Sequence, residues 1–265
     1  MKADVAPDVM ALRKRVIRFV EKELDVLPAF SNLRQFALGF GPMAIFGGLI
    51  RDLALGYSRG FSSDIDVVVK DMPVDVLERA LEPLSAQRNK FGGFRVQIGR
   101  WELDIWTFDG TWAFTNGLVG GREMHDLLKT TFFNWDAVLF ELEQREIVCA
   151  PSYFTDIRER RLTIKLRQTP NELGAAVRTL RLMYTDEASL SPELASFLHA
   201  QILLHGIHAI VAEDAKRTAK RRLTEDYVGS AAIALREHQA CRPTEDFSLF
   251  SFQGDLPLIE RGARG

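Results

Sequence analysis

Two short motifs hold the residues best suited to chemistry. Gly47-Gly48-Leu49-Ile50-Arg51-Asp52 reads G-G-x-x-R-D, and after eleven more residues Asp64-Ile65-Asp66 reads D-x-D ahead of the apolar run Val67-Val68-Val69. In this order and spacing they describe a site for a nucleoside triphosphate and two metal ions, the equipment of nucleotidyl transfer. Gly47 and Gly48 have no Cβ, so the chain can turn sharply and a ligand can approach its backbone. The helical spacing of Leu49 to Leu55 would aim unpaired N–H groups at a triphosphate in that turn. Arg51 would add a cation beside the phosphates, and Asp52 would orient it. Asp64 and Asp66 lie two apart on an expected strand, so both carboxylates share one face. Carboxylates with no His or Cys beside them suit Mg²⁺.

Other elements must position this centre. Met43 to Phe46 is a short apolar run, read as a buried strand before the glycine turn. The loop Tyr57 to Ser63 joins the expected helix to the D-x-D strand, and the Ser63 hydroxyl is placed to hydrogen-bond a phosphate. Phe94 to Ile98 and Trp101 to Phe108 alternate as strands around a Gly99-Arg100 hairpin turn. Asp104 lies on the second of these, on one face with Glu102 and Trp106. If that strand neighbours the D-x-D strand, Asp64, Asp66 and Asp104 form a three-carboxylate, two-metal site.

The stretch Phe46 to Val69 resembles the head domain of the class II tRNA nucleotidyltransferases (CCA-adding enzymes) and bacterial poly(A) polymerases. Those proteins carry G-G-x-x-R-D and D-x-D in a polymerase-β-like palm. Asp126 to Ala137 resembles the family's D-L-x-R-R-D-F-T-I-N-A segment: Asp126-Leu127 and Phe132 fit, and Lys129-Thr130-Thr131 replaces Arg-Arg-Asp. Asn171 to Leu182 resembles the family's E-D-P-x-R-x-L-R-A-x-R-F helix, with Arg178 and Arg181 matching its last two arginines. The arginine of its base-selecting E-D-x-x-R element is replaced by Ala175. The resemblance implies an α+β fold, a palm followed by a short helical domain. It also implies nucleotide contacts from Arg178 and Arg181, and an RNA or tRNA 3′ end as acceptor of the nucleotide. The triphosphate half of the family site is kept and the base-selecting half is altered. A small molecule such as an antibiotic, or a protein side chain, is therefore an alternative acceptor, and a non-catalytic nucleotide or RNA sensor a further one.

The expected division is a palm over 1–152, a helical domain over 153–242 and a polar, partly disordered tail over 243–265. Within it, helices are expected over 8–27, 74–87, 123–130, 154–166, from about 171 to 183, 192–206, 207–223 and 224–238, with a break at Pro28 to Asn32. The 265-residue chain is 46% hydrophobic and 26% charged, as globular proteins are. No run of near twenty apolar residues stands out, so no membrane span or membrane partner is expected. Met1-Lys2-Ala3-Asp4 carries no apolar signal core, so a cytoplasmic location is expected. A net charge of −2 and pI near 6.2 argue against indiscriminate nucleic-acid binding over the whole surface. Two local basic segments, Lys216 to Arg222 and Arg158 to Arg167, could each follow a phosphate backbone or simply be solvated. Cys149 and Cys241 read as incidental thiols. His199, His205 and His208 read as packing or surface residues rather than a zinc site.

Overall fold

The computed structural model describes residues 4–57, 64–216 and 223–249. The chain forms two compact units, Met1–Arg158 and Glu159–Gly265.

The first unit opens with α1 (Val9–Phe19), which continues as a π-helical turn, Val20–Leu24. Asp8 caps it by accepting a hydrogen bond from the Ala11 N–H at 2.8 Å. Pro28 to Asn32, expected as a break, instead begin a second helix, α2 (Pro28–Ala37). Pro28 occupies its first turn, where no N–H is needed, and Phe30, Leu33 and Ala37 form its buried stripe. Then come β1 (Met43–Phe46), α3 (Gly48–Ala54), β2 (Ile65–Val69), α4 (Val74–Leu81), β3 (Gln87–Arg88), β4 (Phe94–Ile98) and β5 (Trp101–Thr107). The unit ends with α5 (Trp112–Thr115), β6 (Val138–Glu141), β7 (Glu146–Cys149) and α6 (Tyr153–Arg158).

The seven strands form one mixed sheet in the order β3-β4-β5-β2-β1-β6-β7. All neighbours are antiparallel except β2 and β5, which run parallel. The register aligns Arg95, Asp104, Asp66, Phe46 and Leu139 in one row across the sheet. Cross-strand partners share a face, so this row sets polar groups beside apolar ones. Its apolar end joins a cluster of Ala44, Phe46, Val68 and Leu139, closed over by Phe108, Met124 and Leu127. The alternate residues Met43, Ile45, Val67 and Ile105 are completely buried. α3 packs against β1, β2 and β6. Asp66 is the one residue of β2 that is not buried, because the apolar cover of its face stops short of it.

Part of that cover is a 3₁₀ turn, Met124–Lys129. Its Asp126 is committed to the turn itself. The carboxylate accepts from the backbone N–H groups of Arg122 and Glu123 at 2.9 and 3.0 Å and from Lys129 Nζ at 2.6 Å. These bonds, the one from Lys129 above all, hold its pKa far below the ordinary 3.8. The Asp-Leu pair at the head of the second resembling segment is therefore a capping device that seats Met124 and Leu127 on the sheet.

In the second unit, β8 (Arg161–Leu162) pairs in parallel with β9 (Ser189–Leu190). The helix expected over 154–166 stops at Arg158, because Arg160 takes a left-handed conformation (φ 59°) and turns the chain into β8. Among its described residues the unit also has three helices: α7 (Glu172–Asp186), α8 (Pro192–Ala215) and α9 (Glu225–Cys241). α8 packs against both of the others and kinks at Gly206, which has φ 78° and ψ 158°. By length and composition α8 is apolar enough to cross a membrane, contrary to expectation, and 39% of its most apolar window is buried. Its buried face includes the polar Gln201 and Asp214. Within the expected tail, Phe247 is fully buried and exchanges two 2.7 Å backbone hydrogen bonds with Leu190; residues 250–265 lie outside the described residues.

Asp126→Asn should lower the Tm at neutral pH. The native carboxylate has a depressed pKa, so its stabilisation is complete above the unfolded value of 3.8 and is lost as pH falls through the native one. Thermal melts of both proteins from pH 7 downward should show the difference shrinking only below pH 3.8.

Candidate active site

Gly47 ends β1 with φ 69° and ψ −115°, a conformation open in practice only to glycine. Its N–H donates to the Val138 carbonyl at 2.9 Å, which ties the turn to β6. Gly48 begins α3. Among the described residues, a Cβ there would meet nothing closer than Arg51 Nη2, at 3.8 Å. Their packing therefore does not demand glycine at 48, and the space they leave above it suits a ligand against the backbone.

Arg51 lies beneath this turn, only 13% exposed at the side chain. Its Nε donates to Asp52 Oδ1 at 2.9 Å and its Nη1 to Asp136 Oδ1 at 2.6 Å. Asp136 is itself 9% exposed at the side chain. The pair anchors α3 to the turn before β6, and losing one partner would strand a buried charge at a cost of about 3–5 kcal/mol. Sequence reasoning missed Asp136 as Arg51's partner, because 85 residues separate them. Arg51 thus reaches the glycine turn as part of a fixed carboxylate–guanidinium lattice.

β5 neighbours β2, and Asp104 stands directly opposite Asp66. Asp64 precedes β2. Asp66 pairs on its other side with Phe46, the residue before Gly47, so the carboxylates and the glycine turn meet at one end of the sheet. The side chain of Asp104 is 15% exposed and that of Asp64 37%.

The structure adds Arg95 of β4 to this group. Its Nε and Nη2 form a two-pronged pair with Asp104 at 2.9 and 2.6 Å. Nη2 also lies 3.4 Å from Asp64 Oδ2, and Nη1 3.4 Å from Glu102 Oε1. The hydrogen bond it donates to Asp104 pushes the Arg95 pKa further up, against the opposing effect of burial. A signal for this contact is present in the sequence. A two-residue Gly99-Arg100 turn pairs Ile98 with Trp101, and the same register counted back pairs Arg95 with Asp104.

Chemically, the all-carboxylate donor set fits a hard divalent cation. A cation already stands among Asp64, Glu102 and Asp104, in the form of the guanidinium. The spacing is correspondingly that of an arginine complex: among the described residues, no three His, Cys, Asp or Glu side chains are gathered tightly enough to hold a metal ion.

No protein-family model matches the sequence, and no curated protein matches it. Solved structures do match. A tRNA nucleotidyltransferase complexed with a primer tRNA and an incoming ATP analog aligns over 78% of this chain and 61% of its own, at 17% identity and TM-score 0.52. A CCA-adding enzyme with ATP aligns over 85% of this chain and 53% of its own, at 17% identity and TM-score 0.51. A tRNA-processing enzyme complex aligns over 78% and 56%, at 15% identity and TM-score 0.53. The fold is that of the tRNA nucleotidyltransferases. The chain spans between 53% and 61% of the length of these three structures.

On this tRNA nucleotidyltransferase fold three further candidates remain. Ser63 falls outside the described residues. Arg178 and Arg181 belong to α7 in the second unit. Arg178 is exposed. Arg181 is bound to the fully buried Asp214, through Nε to Oδ1 and through Nη2 to the Asp214 carbonyl at 3.0 Å. Asp214 also accepts from the Leu223 N–H at 2.8 Å, so this pair ties α7 to the end of α8. In the altered base-selecting segment, Asn171 caps α7 by accepting from the Gly174 N–H at 2.8 Å, and Ala175 is buried. Ala175 therefore sits within the packing of the helix, where a longer side chain would have to displace its neighbours.

Gly47→Ala should cost roughly 1–3 kcal/mol in urea unfolding, because its φ is unfavourable to any side chain. Gly48→Ala should leave unfolding nearly unchanged and still weaken ATP binding by calorimetry. Equal ATP affinity in Gly48→Ala and the parent would place the triphosphate away from this turn.

Proposed function

We propose that this protein transfers a nucleoside monophosphate from an NTP to an acceptor hydroxyl, releasing pyrophosphate, and that the acceptor is an RNA 3′ end. One observation carries the reading: Asp66 and Asp104 stand side by side on parallel strands at the same end of the sheet as the glycine turn. The turn would receive the triphosphate over Gly48, with the Arg51 guanidinium fixed beneath it. Asp64, Asp66 and Asp104 would hold Mg²⁺, which when bound would neutralise the phosphates and lower the pKa of the attacking hydroxyl. The acceptor oxygen forms a bond to the α-phosphorus as the bond to the β-phosphate oxygen breaks. The hydroxyl proton passes to a carboxylate of the cluster or to water, and pyrophosphate carries away the charge. The protein's contribution is positioning and fixed electrostatics.

The RNA acceptor is supported by the similarity to a structure solved with a primer tRNA and by a basic stripe in the first unit. Lys14, Arg18 and Lys22 are exposed, spaced four apart, and line a cleft of about 370 Å³ with Phe19 and Leu53. The neighbouring Arg15 and Glu23 are already paired with Asp4 and Arg100. The cleft lies at the far end of α3 from the glycine turn, about 10 Å along the helix axis. By contrast, in the basic segment 158–167, Arg160, Arg161 and Arg167 are paired with Asp186, Asp246 and Glu193. Residues 217–222 of the other segment lie outside the described residues. A second reading, nucleotide binding without transfer, draws on the guanidinium held by the carboxylates. The assay below separates the two.

With α-labelled NTPs, Mg²⁺ and total tRNA, label should enter RNA and fall at least about a hundredfold in Asp66→Asn. NTP binding without transfer would support the second reading. Transfer to no RNA, with turnover kept, would move the acceptor to a small molecule or a protein. Separately, Lys14→Ala/Arg18→Ala/Lys22→Ala should weaken RNA binding and reduce the slope of log K against log salt by about 2. An unchanged slope would remove this stripe from the interface.

A further inference from the structure

Arg95 does more than balance one aspartate. Asp104 comes from β5 and Asp64 from the entry to β2, and a single guanidinium nitrogen, Nη2, lies 2.6 Å from the first and 3.4 Å from the second. Its other amino nitrogen faces Glu102. The two ends of the Arg95–Asp104 pair differ in freedom. Asp104 is held in the middle of the sheet, whereas the Arg95 side chain is 46% exposed on β4 and has solvent to move into. Arginine keeps its charge at any pH a protein survives, so the contact cannot be released by deprotonation. It can be released by a stronger competitor for the same oxygens. A divalent cation offers twice the charge in a smaller radius, and it would need Asp64 and Asp104 to give up the guanidinium.

We propose that Arg95 is a built-in counter-cation of the carboxylate cluster: it holds Asp64 and Asp104 when no divalent ion is bound, competes with the ion for them, and swings away when it binds. The proposal rests on the nucleotidyl-transfer reading for the identity of that ion. Two consequences follow from the geometry. Like-charged carboxylates can stay near one another without a metal, at the spacing that the guanidinium sets. The apparent affinity for the metal is also lower than the carboxylates alone would give, because each binding event must break a two-pronged, charge-assisted pair.

The test measures Mn²⁺ binding to the full chain by electron paramagnetic resonance of the free ion, without nucleotide, for the parent, Arg95→Gln, Arg95→Lys and Asp66→Asn. Melts in chelator check that each variant folds. Arg95→Gln should bind Mn²⁺ roughly tenfold more tightly than the parent. Arg95→Lys, which keeps the charge without the fork, should lie between them and carries the test if the glutamine variant does not fold. Asp66→Asn should lose the site. If Arg95→Gln binds Mn²⁺ equally or more weakly while Asp66→Asn loses it, the competition is overturned and the metal-dependent reading stands. If no Mn²⁺ site depends on Asp66 in any variant, both are overturned.

Discussion

The parallel pairing of β2 with β5 is the constraint on which the candidate site depends. It sets Asp104 opposite Asp66. It also sets the β4–β5 hairpin on the side of Asp64 that brings Arg95 within reach. Parallel strands cannot be joined by a tight turn. Here the connection runs through α4, β3 and β4, and β5 then enters the sheet beside β2. The pairing is held by burial on both faces. Val67 and Ile105 are fully buried on one side, and Val68 contributes to the apolar cluster on the other. Register follows from that burial, since a slip of one residue would turn Asp66 and Asp104 into the core and Val67 and Ile105 outward. The charged row is thus kept in place by its apolar neighbours.

A second lattice supports the glycine turn. Gly47 is tied to β6 by its N–H, and Arg51 is tied to Asp136 just before β6. Tyr153 reinforces the same region, donating its hydroxyl to the Trp135 carbonyl at 3.2 Å while burial drives its pKa well up. The turn is therefore presented by a rigid frame, with little to reorganise when a charged ligand arrives. In this frame Arg51 has a double role. Its carboxylate partners fix its position, and its position puts positive charge beneath the open space over Gly48. The carboxylate group beside it contrasts with this. There the cation is the exposed, long side chain of Arg95, and the anions are the fixed partners. One guanidinium is set into the structure, and the other stands half-exposed among the carboxylates.

Several residues that carried the resemblance outside the glycine turn and the D-x-D strand are committed to structure. Arg181, one of the two arginines that carried the resemblance in this helix, is bound to the fully buried Asp214. Asn171 and Ala175 stand where a base-selecting element would begin and end, and they serve as helix cap and buried packing residue. In the first unit, Asp126 is likewise committed to a turn that caps itself. These residues hold the fold together through caps, packing and one buried ion pair.

Much of the site was legible in the residues. The glycine pair, the D-x-D spacing, the strand alternation and the Gly99-Arg100 turn are local patterns, governed by steric allowance and by the two-residue period of a strand. They determined which carboxylates share a face and, through the hairpin register, that Arg95 stands opposite Asp104. Helix limits were less legible where one residue overrides periodicity, as the left-handed Arg160 does after α6. Pro28 misled in the opposite sense, because proline both breaks and begins helices. Only the tertiary structure decided that β5 lies beside β2, that Asp136 holds Arg51, and that Phe247 returns to pair with Leu190. Each of these joins residues separated by tens of positions. No local period encodes such pairings; they are chosen by which apolar faces can be buried together.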